Sequence, residues 1–109
     1  MIEISVSRSA ATLTVVGDLD LSERDRFPEL LVRLAEIRYL TVDLCRARFV
    51  DSTGAAFLVA LGHDVLDRGG EPVLRVTDES IVFVLEICGA LALYEQHSCG
   101  NEPPHPHED

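Results

Sequence analysis

The sequence predicts an α/β domain with a mixed β-sheet that starts as a β-hairpin and has helices packed against it, in the order β-β-α-β-α-β-α. Residues 2–7 alternate apolar and polar side chains, which is the period of a strand. Later segments carry apolar residues at helical spacing, and short strand-like runs alternate with them. Because β–helix–β units usually place their strands parallel, we expect the later strands to run parallel.

Length and composition indicate one folded domain. The chain has 109 residues, of which 47% are hydrophobic, and this supports one core of ordinary size but not two. We place this domain at residues 1–97. From residue 100 onward proline is the only apolar residue type, and we therefore expect residues 98–109 to be a disordered C-terminal tail.

The first two strands are predicted to form the hairpin. The alternating segment 2–7 is followed by turn-forming residues at 8–10, and residues 12–17 resume the same alternation. Strands joined by so short a link pair antiparallel.

A helix follows the hairpin, and its start has two candidates. Ser22 is a candidate N-cap, but a helix from that point would hold Pro28 in its interior, where proline kinks a helix. A start near Asp25 places Pro28 in the first turn, where it is tolerated, and we favour this later start. The apolar stripe of this helix consists of Phe27, Leu30, Leu31 and Leu34.

Two strand–helix units complete the predicted order. Residues 40–44 form a strand, and residues 45–50 connect it to a helix that runs from Ala55 to about Arg68. Paired glycines then stop this helix. Residues 72–76 form the next strand.

The last predicted helix ends the domain. Thr77 or Asp78 caps it, and Gly89 stops it. Residues 91–94 form either a short strand or a turn of helix.

The segment Asp51-Ser52-Thr53-Gly54 stands between a predicted strand and a predicted helix. It places two hydroxyl groups and a carboxylate at a helix start, where free N–H groups and the helix dipole favour an anion such as phosphate. The same residue types are also good helix caps, and glycine permits a close approach. The segment alone therefore fits either a phosphate-accepting site or a cap.

Charge and hydropathy exclude several classes of function. The net charge is −10, which disfavours binding to nucleic acid or to an anionic membrane and suits a protein partner with a basic surface. The sequence contains no apolar run near the roughly 18 residues of a membrane span. It also lacks the pattern of a secretory signal, so we expect a cytoplasmic protein.

In that compartment the three cysteines are expected to be reduced thiols. Cys88 lies on an apolar helical face and is expected to pack in the core. Cys45 and Cys99 remain candidates for a regulatory disulfide, since sequence alone does not give the distance between them.

Four segments together resemble the anti-sigma factor antagonists of the STAS domain family. Gly17-Asp18-Leu19-Asp20 is similar to the family's Gly-Glu-Leu-Asp signature, and Val42-Asp43-Leu44 is similar to its central strand. Phe49 to Gly54 resembles the family's phosphorylation segment, and Leu85 to Gly89 resembles the Leu–x–x–x–Gly close of the helix before its C-terminus. The resemblance covers about residues 1–97. It implies a STAS-like fold.

The resemblance implies a phosphorylation switch at Ser52, with Thr53 as the alternative acceptor. The unphosphorylated form would bind an anti-sigma factor, which is also an ATP-dependent serine kinase, and so release a sigma factor in a stress response. Phosphorylation would abolish this binding, and a serine phosphatase would reverse it. The residues implied in partner binding are Asp18, Asp20, Asp51, Ser52, Thr53, Gly54 and Ala55.

Charge repulsion gives this switch a physical basis. A phosphate adds about −1.5 to −2 charge beside Asp51. Asp18, Asp20 and Asp43 are expected nearby if the strand ends cluster. Asp51 either orients the Ser52 hydroxyl or caps the helix, and Asp20 either contacts the partner or closes its turn. The motif departs from the family in Gly54-Ala55-Ala56, where Gly-Leu-Gly is frequent, and in Asp18, where Glu is usual.

Other functions are less well supported by the residues. Ser52 lacks a Gly-x-Ser-x-Gly elbow, and His63 lies about 16 Å further along the same helix, so we expect no enzyme activity. His97, Cys99, His105 and His107 lack fixed geometry, and we predict no metal site and no cofactor.

A second possibility is a STAS-type constitutive subunit of a transporter or larger signalling assembly, without phosphate turnover. Nucleotide binding by the domain is a third.

Overall fold

Five strands and three helices make up residues 1–100, the part of the chain that the structure, a computed structural model, describes. The strands are β1 (Ile2–Ser7), β2 (Ala10–Leu19), β3 (Tyr39–Val50), β4 (Glu71–Arg75) and β5 (Glu95–His97). The helices are α1 (Phe27–Arg33), α2 (Ser52–Asp67) and α3 (Glu79–Ile87). Turns of 3-10 helix lie at Leu21–Arg26 and Leu91–Leu93. Most of the predicted tail, including His105 and His107, lies outside the described residues.

The strands lie side by side in chain order, from β1 to β5. β1 and β2 are antiparallel, and each later strand is parallel to the one before it. This confirms the predicted mixed sheet with a hairpin start. Parallel crossovers are right-handed, and the strand order here never reverses, so the three helices lie on one face of the sheet.

The core lies between that face and the helices. The sheet contributes alternate residues that are almost fully buried: Leu13, Val15, Leu40, Val42, Leu44 and Leu74. The helices contribute Leu30, Leu58, Leu61 and Leu85. Phe27 and Phe57 stack with their ring centroids 4.2 Å apart, and this contact joins α1 to α2.

Side chains on the opposite face of the sheet are half-buried, among them Thr14, Asp43, Cys45 and Arg75. Asp43 accepts hydrogen bonds from the backbone N–H of Cys45 at 2.9 Å and from Arg75 at 3.4 Å. Within residues 1–100 no helix covers this face.

The start of the first helix follows the later of the two predicted positions. Pro28 lies in the first turn of α1, as expected. The prediction of Ser22 as the N-cap of this helix, however, is wrong. Asp20 caps the preceding 3-10 turn, since its Oδ1 accepts hydrogen bonds from the N–H and the hydroxyl of Ser22 at 3.0 and 2.6 Å.

The third strand is longer than predicted. Residues 45–50 are not a connection, because they continue β3 and pair with β2 up to Leu19 and Val50. The pairing shifts register twice along this part of the ladder, so the strand does not keep strict alternation. As a result α2 begins at Ser52 rather than at Ala55.

The end of the domain also differs from the prediction. Of the two alternatives for residues 91–94, the structure has a helical turn, Leu91–Leu93. The short edge strand β5 follows it and was not predicted. Residues 98–100 are described and are held through Cys99.

A disulfide joins Cys45 and Cys99, whose Cα atoms are 5.7 Å apart. The expectation of three reduced thiols is therefore wrong for two of them. Cys88 is a free thiol and half-buried on α3, packed against the core. The parallel pairing of β3, β4 and β5 brings residues 45 and 99 together, and no local sequence pattern contains that information.

Candidate functional site

The segment Asp51-Ser52-Thr53-Gly54 lies where β2 and β3 end together. Leu19 and Val50 are paired at this edge of the sheet, and the N–H of Asp51 donates to the carbonyl of Leu19 at 3.3 Å. α2 starts at the next residue, Ser52. Carboxyl ends of parallel strands are where α/β sheets commonly place binding sites.

Asp51 is the N-cap of α2, and both of its carboxylate oxygens are used. Oδ1 accepts a hydrogen bond from the N–H of Gly54 at 2.8 Å. Oδ2 accepts one from the N–H of Leu21 at 3.1 Å, in the turn that follows β2. Of the two roles left open for Asp51, the structure therefore has the cap, and this cap also ties the helix start to the neighbouring loop.

Ser52 is exposed, and Thr53 is half-buried. Among the hydrogen bonds of residues 1–100, neither hydroxyl group takes part in one. Thr53 does not cap the helix, since Asp51 does. The first backbone N–H groups of an α-helix have no acceptor within the helix, so the Ser52 hydroxyl stands beside unpaired donors that suit an anion.

Gly54 and Ala55 are buried, so they are not part of the exposed surface. A Cβ atom on Gly54 would overlap the carbonyl oxygen of Leu19. Gly54 therefore makes the expected close approach, here to the backbone of Leu19, and the start of α2 packs directly against the end of β2. These two residues are buried under the exposed surface and fix the position of the helix start.

Two of the predicted carboxylates lie at this edge. Asp18 is exposed and is the strand partner of Phe49. Asp20 is half-buried, and its Oδ1 accepts two hydrogen bonds from Ser22. Of the two roles left open for Asp20, the structure therefore has the one that closes its turn.

The expectation that Asp43 lies near this cluster is wrong. Asp43 is strand partner of Thr14 and Arg75, and β3 continues beyond it to Val50. That places Asp43 roughly 23 Å from the strand end, at about 3.3 Å per residue. The prediction failed because it ended the strand at residue 44.

Two exposed apolar side chains belong to the segments that adjoin the start of α2, and sequence reasoning did not identify them. Leu21 is 55% exposed, and its N–H is the one bound by Asp51. Phe49 is 50% exposed at the end of β3. Since the register shifts interrupt the alternation of β3, no simple period predicts that Phe49 points to solvent.

The surroundings of the site contain arginines but no evident metal cluster. Arg46 and Arg48 are exposed on β3, and none of the ion pairs within residues 1–100 joins either of them to Asp51. In the same part of the chain, no group of three or more His, Cys, Asp or Glu residues is arranged to hold a metal ion. No helix in residues 1–100 is both long and apolar enough to span a membrane.

The family model described as STAS domain matches residues 1–98 of this chain. No curated protein matches the sequence.

Solved structures with the same fold include the anti-sigma factor antagonist SpoIIAA in its unphosphorylated form, with a TM-score of 0.70 at 13% identity over 89% of this chain and 87% of that one. SpoIIAA of Bacillus in the phosphorylated form has a TM-score of 0.65 at 15% identity, over 89% of this chain and 91% of that one. At such identities the likeness concerns the fold.

Two further structures extend the range of proteins that share this fold. A variant of RsbS from Moorella thermoacetica has a TM-score of 0.73 at 18% identity, covering 89% of this chain and 86% of that one. A sulfate transporter family protein from Wolinella succinogenes has a TM-score of 0.64 at 18% identity, covering 81% of this chain and 73% of that one.

Proposed function

The chain belongs to the STAS domain family, and we propose that it is an anti-sigma factor antagonist controlled by phosphorylation of Ser52. The unphosphorylated form binds an anti-sigma factor and thereby releases a sigma factor. The phosphorylated form does not bind. The likeness of the fold to SpoIIAA, solved in both unphosphorylated and phosphorylated forms, supports this proposal.

The observation that carries the proposal is that the Ser52 hydroxyl is exposed and makes no hydrogen bond within residues 1–100. It is exposed at the start of α2, while the neighbouring carboxylate of Asp51 is already occupied by two backbone N–H groups. The cap therefore does not depend on Ser52, and a kinase can modify the hydroxyl without removing a hydrogen bond that holds the fold. Thr53 is the alternative acceptor, but its half-buried position makes it the less accessible one.

The surface around Ser52 suits a protein partner. Leu21 and Phe49 provide exposed apolar area in the segments that adjoin the start of α2. Asp18 and Asp20 add negative charge at the same edge, which suits a partner with basic residues around an apolar centre. Gly54 and Ala55 contribute by setting the position of the helix start.

A phosphate on Ser52 would weaken this interface through charge. Its added −1.5 to −2 charge, approximately, would lie beside Asp51 and the other carboxylates of the edge. Repulsion between partly desolvated like charges is poorly screened. A loss of about 3 to 4 kcal/mol lowers affinity several hundredfold, which is sufficient to dissociate a regulatory complex.

The remaining parts of the cycle follow from this role. The anti-sigma factor is the ATP-dependent serine kinase, and a separate serine phosphatase restores the binding form. The protein is a non-enzymatic, cytoplasmic regulator of transcription, acting in a stress response. It requires no cofactor of its own.

The test compares the Ser52→Ala and Ser52→Asp variants as immobilised baits in lysate of the source organism, with bound proteins identified by mass. Ser52→Ala should capture an ATP-binding anti-sigma protein that Ser52→Asp does not. The purified partner, incubated with ATP and the unmodified chain, should then phosphorylate Ser52. Equal capture of that partner by both variants would contradict control by phosphorylation.

Ser80 provides the matched control. It is also an exposed serine in the first turn of a helix, but its hydroxyl donates to Asp78 at 2.6 Å. Ser80→Ala and Ser80→Asp should both capture the partner as the unmodified chain does. Mass mapping after the kinase reaction should find no phosphate on Ser80.

A second candidate is a constitutive subunit of a transporter or larger signalling assembly. The likeness of the fold to a sulfate transporter family protein supports it. In that case both Ser52 variants would capture a transporter or a large assembly, and ATP would leave Ser52 unmodified.

A further inference from the structure

The disulfide between Cys45 and Cys99 connects the middle of the sheet to the end of the described chain. Cys45 lies on β3, on the face that the helices do not cover, and Cys99 follows the edge strand β5. Both residues are half-buried and neither is fully enclosed in the core. The bond therefore joins β3 to the segment after β5 just beyond the end of β4, which stops at Arg75.

Without this bond, little holds the end of the chain to the sheet. β5 pairs with β4 at Val73, Leu74 and Arg75 only. Beyond the strand, the N–H of Val76 donates to the carbonyl of His97 at 3.0 Å, and the N–H of Cys99 donates to Thr77 Oγ1 at 2.8 Å. Short edge strands held by a few exposed hydrogen bonds open at low free energy.

We propose that Cys45 and Cys99 form a reversible thiol–disulfide switch that attaches segment 95–100 to the sheet when oxidised and releases it when reduced. In a reducing compartment, a protein disulfide is usually transient or redox-sensing. The free thiol Cys88 is not part of the switch, because it packs against the core on α3 and has no disulfide partner. The switch does not depend on the partner of Ser52.

The oxidant is a small-molecule disulfide such as oxidised glutathione. The thiolate of one cysteine attacks a sulfur of the small disulfide, forms a mixed disulfide and displaces one small thiolate, which takes up a proton. The second cysteine then attacks the protein sulfur of the mixed disulfide, closes the Cys45–Cys99 bond and displaces the second small thiol. Two electrons pass from the protein to the small disulfide, and reduction runs the same steps in reverse.

Release of segment 95–100 would expose backbone groups of β4. That edge offers unpaired N–H and C=O groups to another strand. The reduced protein should therefore differ from the oxidised one at a defined place, the β4–β5 edge, while the start of α2 keeps its structure.

The test uses the full chain carrying Cys88→Ser, equilibrated with reduced and oxidised glutathione at a series of ratios. Acid quenching, alkylation and mass measurement count the free thiols, and hydrogen exchange is followed in parallel. Both thiols should appear together under millimolar reduced glutathione, and exchange in segment 95–100 should rise severalfold. Exchange at the start of α2 should stay the same.

Cys99→Ser in the same background is the control, and its exchange in segment 95–100 should be fast at every glutathione ratio. The proposal is wrong if the bond does not form in oxidised glutathione or stays closed in millimolar reduced glutathione. Opening of the bond with unchanged exchange in segment 95–100 would also overturn it, as would redox-dependent exchange in Cys99→Ser.

Discussion

The helices α2 and α3 are both capped by an aspartate, but the nearby serine hydroxyl is hydrogen-bonded to that aspartate only at α3. At α3, Asp78 accepts hydrogen bonds from the N–H and the hydroxyl of Ser80 at 2.9 and 2.6 Å. At α2, Asp51 accepts from Gly54 and from Leu21, and Ser52 is left without a bond to its cap. The spacing explains the difference, because Ser80 lies two residues after its aspartate and Ser52 only one.

The two starts also differ in what they are attached to. The cap of α3 closes a local turn, since both of its serine contacts and its bond to Ile81 lie within the first turn. The cap of α2 reaches the loop after β2 through Leu21. The cap of α2 is thus anchored to a second part of the fold and does not bind the serine hydroxyl, whereas the cap of α3 is local and binds it.

The largest expected effect comes from Gly54→Ala, which breaks the attachment of α2. The added Cβ would overlap the carbonyl oxygen of Leu19, so the helix start must move. We expect a loss of about 3 kcal/mol in the free energy of unfolding, the upper end for an overpacked site. Urea unfolding measures it. Gly89→Ala is the control, since its Cβ meets no atom and only its φ of +86° is unfavourable; an equal loss in both would contradict the overlap.

Asp51→Ala should cost about 2 kcal/mol, from about 1 for the cap and about 1 for the bond to Leu21. Asp78→Ala removes only a local cap and should cost less. Both free energies of unfolding come from the same urea titration. A larger loss at Asp78 would remove the distinction between an anchored and a local cap.

Tyr94→Phe tests a second anchor that α2 has and α3 lacks. The Tyr94 hydroxyl donates to the carbonyl of Leu58 at 2.6 Å, and its loss should cost about 1 kcal/mol. Burial raises the pKa of Tyr94 above its ordinary value. The unfolded chain therefore releases this proton first, and stability should fall as the pH rises above about 10.

In Tyr94→Phe the loss of unfolding free energy at alkaline pH should be smaller, as measured by urea unfolding between about pH 8 and pH 11. Tyr39→Phe removes the other tyrosine of the chain and should keep the alkaline loss. Equal pH profiles for the unmodified chain and Tyr94→Phe would show that Tyr94 is not its source.

The smallest effect is expected at the cap of α3. The hydrogen bond from Ser80 is the main cause that lowers the pKa of Asp78 below its ordinary 3.8, with backbone bonds adding to it. A lowered folded-state pKa gives stability that is present above that ordinary value and is lost as the pH falls through the lowered one. Ser80→Ala should move the pKa of Asp78 back towards 3.8, as followed by an NMR titration of its carboxyl group. Ser52→Ala should leave that titration unchanged.

Local chemistry made much of the fold and site predictable. The hairpin and the parallel strand–helix order were readable from periodicity, and Asp51 was recognisable as a candidate cap from its residue type, although the predicted helix begins only at Ala55. The later start of α1 followed from the position of Pro28. These features depend on residues close together in the chain.

The missed features depend on distant parts of the chain. β3 reaches Val50 because β2 offers it a partner as far as Leu19, and the misplacement of Asp43 followed from that. β5 is three residues long, too short to show a period. The Cys45–Cys99 bond depends on the order of three strands. Ser22 failed as a cap because Asp20 holds both its N–H and its hydroxyl.

The bond between Cys45 and Cys99 also turns half of the protein into a covalent ring. The ring contains Ser52 together with α2, β4, α3 and β5, while residues 1–44 form an open arm. A protease that cuts once inside the ring yields no separate fragment until the bond is reduced, whereas one cut in the arm does. Gels run with and without reductant after brief proteolysis would therefore distinguish cuts inside the ring, such as those near Ser52, from cuts in the arm.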